Sequence, residues 1–326
     1  MTLKKPFVVV TRRLPKIVEE RMKELFDVTL NIQDIPYSTS QLKSVIKKCD
    51  VLVPTLTDKL DYNLLSSSQN AVKLIANFGN GTDHIDIAAA HTAGVVVTNT
   101  PDVLTNDTAD IAMALIISVP RRLVEGARMV DKNQFAEWKS THMLGGRLSG
   151  KSLGIVGMGR IGFAVAKRAH SFGIKIHYHN RRRLMSDIEE EVEAKYWDSL
   201  DDMLSKMDII SIHCPYNHDT NNLISERRMN LLKEGAYIIN VSRAGIIDER
   251  ILISLLEDGK IAGAGLDVFD HYPAVNIRLK KLKNVILLPH MSSATLESRI
   301  EMGEKVIINI KTFIDGHRPP NRVISA

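Results

Sequence analysis

Residues 151–183, KSLGIVGMGRIGFAVAKRAHSFGIKIHYHNRRR, admit very few folds. A short apolar run at 152–157 has the length and composition of a buried strand. It runs into Gly157-Met-Gly159-Arg-Ile-Gly162 and then a helical stretch from Arg160 to about Phe172, with Ile161, Val165 and Ala169 at helical spacing. Gly173 stops that helix, as a glycine just past a helix end does. A second strand follows at 174–179. Each glycine of the G-x-G-x-x-G spacing has its own physical task in a strand–turn–helix–strand unit. Gly157 makes the tight turn, Gly159 lets a pyrophosphate approach backbone without a Cβ, and Gly162 lets helix and strand pack closely. The phosphates then lie at the helix N-terminus, where free N–H groups and the dipole favour anions. A lone glycine triplet is a weak signal, but here both flanking strands and the helix are present. Gly157, Gly159, Arg160, Ile161 and Gly162 are therefore expected to bind a dinucleotide.

The end of the second strand discriminates between dinucleotides. NAD sites carry an acidic residue about 20 residues on, for the ribose 2′-OH. This chain has Asn180 there, followed by Arg181, Arg182 and Arg183. An acid would repel a 2′-phosphate, whereas Asn beside guanidinium groups would bind it. A solvated basic loop would show the same residues; the missing acid favours NADP(H), with NAD(H) still possible.

A chain of 326 residues suggests two domains. Hydrophobic and charged contents of 44% and 25% are ordinary for a globular protein. The net charge of +5 comes from scattered Lys and Arg, Lys280, Lys281 and Lys283 forming only a small solvated cluster, so no nucleic-acid partner is implied. Cys49 and Cys214 are far apart without metal spacing; no metal is expected, and a reducing cytoplasm is. The N-terminal apolar run is too short for a signal peptide or membrane anchor.

Strands are expected at 7–11, 28–32, 51–53, 72–76 and 95–98, with helices at 15–26, 40–48 and 60–66 between them. That alternation makes a doubly wound unit with a parallel sheet. The 72–76 strand runs into NFGNGTDHID at 77–86, whose glycines fit either close approach to a small anion or a turn needing positive φ. A helix at 108–128, apolar nearly all round and so buried, should kink or break at Pro120; it is a natural domain connector and a candidate dimer contact. Residues 131–150 show no clear periodicity. Beyond the glycine unit, helices are expected at 200–206, 225–232, 248–258 and 296–314, and strands at 208–213, 236–241, 262–268 and 285–288. The loop at 213–220 follows a strand's C-terminal end, where open α/β sheets bind ligands.

Taken together, NFGNGTDHID (77–86), TADIAMALII (108–117), GIVGMGRIG (154–162), HCPYNHDTNNLI (213–224), INVSRAGIIDE (239–249), GAGLDVF (263–269) and LLPHMSSAT (288–295) resemble the D-isomer-specific 2-hydroxyacid dehydrogenase family over essentially the whole chain. The Asn-Arg-Arg end of the second strand and the LLPHMSSAT…PPNRV ending look most like its glyoxylate/hydroxypyruvate reductase branch. The resemblance implies two Rossmann-like α/β domains: a substrate domain of 1–100 plus 291–326, and a dinucleotide-binding domain of 101–290 inserted between. It also implies an active site in the cleft between them and a homodimer, alongside the cytoplasmic setting expected from the cysteines.

Residue by residue, the resemblance matches Arg243 to the arginine that holds the substrate's carboxylate and carbonyl, a role suited to a guanidinium fork. His290 matches the histidine that gives a proton to the carbonyl oxygen, work suited to an imidazole near neutral pH. Asn80 and Gly81 match the loop whose N–H groups take the carboxylate. Asp267 matches the acid near the nicotinamide. Thr108, Cys214, Pro215, Thr220, Val241, Ser242 and Ser293 fall at cofactor positions.

One residue departs from the pattern. The family usually has Glu before the Pro that follows GLDVF, supporting the catalytic imidazolium. Here Tyr272 holds that place, in Asp270-His271-Tyr272-Pro273. Without a carboxylate beside it, His290 loses a favourable partner for its charged form, although the Tyr272 hydroxyl can still orient the ring. The expected activity is NADPH-dependent reduction of a small 2-oxo acid, glyoxylate or hydroxypyruvate. The alternatives are a phosphoglycerate dehydrogenase, disfavoured because little chain follows the last helix, and a dinucleotide-sensing binding protein, which the change at Tyr272 alone favours.

Overall fold

The computed structural model describes residues 5–67, 69–135, 137–271 and 274–324. The chain divides into two compact units, one built from residues up to Leu104 and from Ala294 onward, the other from Thr105–Ser293.

In the first unit, β1 (Phe7–Val10), β2 (Asp27–Leu30), β3 (Val51–Val53), β4 (Leu74–Ala76) and β5 (Val96–Thr98) form a parallel sheet in the order β2-β1-β3-β4-β5. The central strands are continuous runs of Val, Leu and Ile because a parallel sheet is covered on both faces. The helix Lys16–Leu25 turns Val18 and Met22 inward. The helix Thr39–Ile46 starts at a capping box, the Ser38 side chain accepting the Gln41 N–H while the Gln41 side chain accepts the Ser38 N–H. The last helix, Leu296–Ile314, returns to this unit and places Met302, Val306, Ile307 and Ile310 in one core with Val8, Val10, Val18 and Met22. Each such side chain contributes about 1.5–3 kcal/mol by leaving water. Beyond it, Val323 N–H donates to the Val97 carbonyl and Asn99 N–H to the Asn321 carbonyl, so the tail lies along edge strand β5.

In the second unit, β6 (Ser152–Val156), β7 (Lys175–His179), β8 (Lys195–Tyr196), β9 (Ile209–Ile212), β10 (Ala236–Asn240), β11 (Ile261–Leu266) and β12 (Val285–Leu287) form a seven-stranded parallel sheet. Its order is β12-β11-β10-β9-β6-β7-β8. The strand sequence reverses direction at the β6/β9 boundary, and this is where a doubly wound sheet opens a crevice for ligands. Both units are thus the α/β, doubly wound, parallel-sheet architecture expected from the sequence.

The differences lie in short or exposed elements. The helices Ile87–Thr92, Ser186–Glu191 and Ile277–Lys281 and the two-residue strand β8 were not expected. The long apolar helix is broken, as Pro120 requires, into Thr105–Ser118 and Leu123–Asp131, with Arg122 left-handed at the junction (φ 55°). Burial holds only for the first piece, which packs Ala109, Ala112, Leu115 and Ile116 inward; no residue of the second piece is buried. The break turns Leu123 and Val130 out to solvent.

Candidate active site

Because β6 to β12 are parallel, the residues following each strand collect along one edge of the second unit. After β6 comes the glycine loop. Gly157 is left-handed (φ 92°), and a Cβ there would meet Cys214 N at 2.6 Å. A Cβ on Gly162 would meet the Gly157 carbonyl at 2.6 Å. A Cβ on Gly159 would meet nothing within 4 Å. So two glycines let the chain pack against itself, while the middle one faces open space. The helix Arg160–Ser171 follows with Gly159 as its N-cap and no side-chain cap. Its first internal bond is Phe163 N–H to the Gly159 carbonyl, so the N–H groups before it have no carbonyl of the same helix to take them, an arrangement that suits an anion. The loop thus has the open space and the donors that a pyrophosphate needs.

Asn180, after β7, turns back on this loop. Its Oδ1 accepts the Met158 N–H at 2.7 Å and its Nδ2 donates to the Met158 carbonyl at 3.2 Å. Asn180 therefore braces the phosphate loop, which its position in the sequence did not reveal. The three arginines separate by role. Arg183 makes a forked ion pair with Glu189, lowering that carboxyl's pKa, and lies over the Tyr196 ring. Arg181 and Arg182 are exposed and have no acidic partner among the described residues.

After β9 come His213, Cys214 and Pro215. His213 Nε2 lies 2.7 Å from Ser211 Oγ, and its Nδ1 is buried with no partner among the described residues. Burial pushes its pKa down to about 3, so the ring is neutral. Burial also pushes the Cys214 thiol up to about 11, which makes it a packing group and not a nucleophile. The Thr220 hydroxyl donates to the Pro215 carbonyl and accepts the Asn217 N–H, closing the loop onto itself.

After β10, Val241 is buried and the Ser242 hydroxyl donates to the Cys214 carbonyl. The Asn240 amide accepts the Ser242 N–H and donates to the Arg243 carbonyl, fixing the turn that presents Arg243. Arg243 is half-buried with extended backbone and donates one guanidinium N–H to the Ser242 carbonyl. After β11, Asp267 is fully buried. Its carboxylate accepts the N–H groups of Met291 and Ser292, and its carbonyl accepts that of His290. His290, after β12, is left-handed (φ 54°). Thr108 is buried near the start of the helix Thr105–Ser118, and Ser293 is half-buried at the end of the unit. Tyr272 and Pro273 lie outside the described residues; next to them, Asp270 N–H donates to the buried Glu249, whose pKa burial raises.

In the first unit, Asn80 and Gly81 follow β4. Neither Gly79 nor Gly81 is left-handed, so the positive-φ explanation of these glycines does not apply. The N–H groups of Asn80, Gly81 and Thr82 have no acceptor among the described residues. Three consecutive free donors suit an anion.

A glycine loop with open space at the switch point of a parallel sheet, with an arginine and a histidine on the same edge, is the arrangement a dinucleotide-dependent oxidoreductase requires. Residues 113–292 match the family model of the D-isomer specific 2-hydroxyacid dehydrogenase NAD-binding domain. The glyoxylate reductase of Thermococcus litoralis is 42% identical over 98% of this chain and 97% of its own. That of Pyrococcus horikoshii is 37% identical over 98% and 96%. Among solved structures, a putative D-isomer specific 2-hydroxyacid dehydrogenase from Polaromonas superposes with a TM-score of 0.92 at 38% identity, covering 98% of this chain and 100% of that one. An NADPH-dependent glyoxylate/hydroxypyruvate reductase from Sinorhizobium meliloti, solved with NADP and malonate, superposes with a TM-score of 0.86 at 30% identity, covering 98% and 97%. The chain belongs to the D-isomer-specific 2-hydroxyacid dehydrogenase family and is an NAD(P)-dependent enzyme of that class.

Proposed function

We propose that the protein reduces a small 2-oxo acid, glyoxylate or hydroxypyruvate, to its 2-hydroxy acid, using NADPH in preference to NADH. The observation that carries the reading is the alignment of the glycine cradle, Arg243 and His290 along one edge of one parallel sheet. The NADPH preference is supported by Asn180 in place of an acid and by the exposed Arg181 and Arg182, which have no acidic partner among the described residues.

In this reading the glycine loop and the start of the helix Arg160–Ser171 would hold the pyrophosphate. When bound, the dinucleotide supplies a hydride to the substrate's carbonyl carbon. Arg243 holds the substrate's carboxylate and carbonyl oxygen in one plane. The N–H groups of Asn80 and Gly81 are suited to hold a carboxylate. His290 protonates the carbonyl oxygen as negative charge develops on it. The first unit is then the substrate domain and the second the dinucleotide-binding domain. The small size of the acid is supported by the glyoxylate reductases that the chain resembles.

A homodimer and a cytoplasmic setting belong to the same proposal. Leu123, Val130, Phe135, Trp138 and Leu144 expose apolar surface within one segment, and Trp138 is 78% exposed; a second copy of the chain would cover such a patch. Both cysteines are free. Among the described residues no helix is long and apolar enough to cross a membrane.

The test is the fall in NADPH or NADH absorbance on adding glyoxylate or hydroxypyruvate to the purified protein, with light scattering for its mass. Rapid oxidation of NADPH, slower oxidation of NADH and a mass of two chains are expected. Cofactor binding without turnover of any short 2-oxo acid would overturn the reading.

A further inference from the structure

Asn77, the first residue after β4, is fully buried. Its Nδ2 donates to two carbonyls, those of Gly79 and Gly81, each at 2.9 Å. Carbonyls only accept, so the amide nitrogen must face them and Oδ1 must face the other way. There Oδ1 meets His84 Nε2 at 3.1 Å. An amide oxygen only accepts, so His84 donates from Nε2 and opposes a flip of the Asn77 amide. A second brace holds the intervening carbonyl: Asn99 Nδ2 donates to the Asn80 carbonyl at 2.8 Å. Asn99 is itself tied to the last helix and the tail. Its carbonyl accepts from Asn309 Nδ2, and the Oδ1 of the fully buried Asn309 accepts from the backbone and side-chain nitrogens of Asn321.

In a trans peptide the N–H points opposite to the C=O of the same unit. Drawing the carbonyls of Gly79 and Gly81 toward Asn77 turns the N–H groups of Asn80 and Thr82 away from it. Holding the Asn80 carbonyl at Asn99 turns the Gly81 N–H away from that residue. These are the three donors left without an acceptor among the described residues.

We propose that Asn77 and Asn99 are positioning residues for the substrate's carboxylate: by capturing three consecutive carbonyls they hold three consecutive N–H groups ready for an anion before it arrives. Neither side chain touches the substrate. The inference rests on the functional reading above, and it assigns to this loop the recognition of the carboxylate and not the hydride or proton transfer.

Two variants test it. Asn77→Asp keeps the shape but sets an acceptor against two carbonyls. Asn99→Ala removes the outer brace from a half-buried position and leaves the core intact. Both are measured for KM and kcat with glyoxylate at saturating NADPH, and for NADPH affinity by fluorescence. The expected result is a KM raised about tenfold or more in Asn77→Asp, as for a weakened hydrogen bond to a charged partner, and about threefold to tenfold in Asn99→Ala, the range for an ordinary hydrogen bond. NADPH affinity should be unchanged and kcat should stay within about threefold, as expected when only substrate binding is lost. Should Asn77→Asp fail to fold, Asn99→Ala decides alone. An unchanged KM in the folded variants, or a fall in kcat alone, would overturn the inference and leave the functional reading standing. Wild-type protein that turns over no short 2-oxo acid and, saturated with NADPH, binds no oxalate by calorimetry would overturn both.

Discussion

Asp267 and His290 are joined through the main chain. The His290 N–H donates to the Asp267 carbonyl at 3.0 Å, and the Asp267 carboxylate accepts the next two N–H groups, of Met291 at 2.8 Å and Ser292 at 2.9 Å. The clamp matters because His290 is left-handed (φ 54°). Such a backbone costs a non-glycine residue about 1–3 kcal/mol and persists only where its surroundings over-determine it. Three hydrogen bonds, two of them to a buried charge, offset that cost and fix where the imidazole starts from.

Replacing Asp267 with Asn turns one acceptor into a donor facing an N–H. A buried donor left unmatched costs about 1–3 kcal/mol. Asp267→Asn should lower kcat for 2-oxo acid reduction by about tenfold or more and lower the melting temperature by roughly 2–10 °C. Unchanged kcat together with unchanged melting would show that the clamp does not set the histidine.

Arg181 and Arg182 provide the clean test of cofactor choice, because Asn180 is engaged with Met158 and changing it would also loosen the phosphate loop. The double variant Arg181→Ala/Arg182→Ala should raise the KM for NADPH by about 10–100-fold, the loss of one or two charge-assisted hydrogen bonds. The KM for NADH should change little. Equal effects on both cofactors would mean that the 2′-phosphate lies elsewhere.

Tyr272→Glu restores a carboxylate at a position where the family usually has one. A negative neighbour favours the imidazolium, so His290 should keep its proton to higher pH. The alkaline limb of kcat for reduction should move to higher pH in the variant. Superimposable pH profiles would remove Tyr272 from any account of proton transfer.

His213 should leave a mark on stability. Burial lowers its folded value to about 3 from 6.5, so the fold prefers the neutral ring. Below pH 6.5 the unfolded chain takes up a proton that the folded chain refuses. The stability due to this group is therefore complete above pH 6.5. It falls by up to about 1.4 kcal/mol per pH unit between there and about pH 3. Urea unfolding at pH 7 and pH 5 should show a smaller acid loss in His213→Asn than in wild type, by up to about 2 kcal/mol. Parallel losses in the two proteins would contradict this.

What the sequence revealed follows from which forces are periodic. The apolar strands, the glycine turn and the helix end at Gly173 were legible because burial and backbone conformation constrain residue type locally. The helices Ile87–Thr92, Ser186–Glu191 and Ile277–Lys281 are five or six residues long, too short for a 3.6-residue period to declare itself. Strand β8 is only Lys195 and Tyr196, and it was legible neither by length nor by polarity. At the site, the absence of an acid at Asn180 could be read, but not the return of its amide to Met158, 22 residues earlier. Asn77 passed as an ordinary residue before two glycines, since its partners are defined only once the loop has closed. The helix Leu123–Asp131 misled for the opposite reason: its apolar residues have helical spacing, yet none of them is buried.

The first sheet shares its core with the helix Leu296–Ile314, which the chain reaches only after the whole of the second unit. On the ribosome, strands β1 to β5 therefore emerge long before the helix that covers Val8, Val10 and Val18. Until then that apolar face stays open, and edge strand β5 lacks the tail that later runs alongside it. The inserted unit, contiguous in sequence, can close first. This order of synthesis leaves the nascent first sheet with apolar surface and an open edge, so a stalled or truncated product would expose the surface that aggregates.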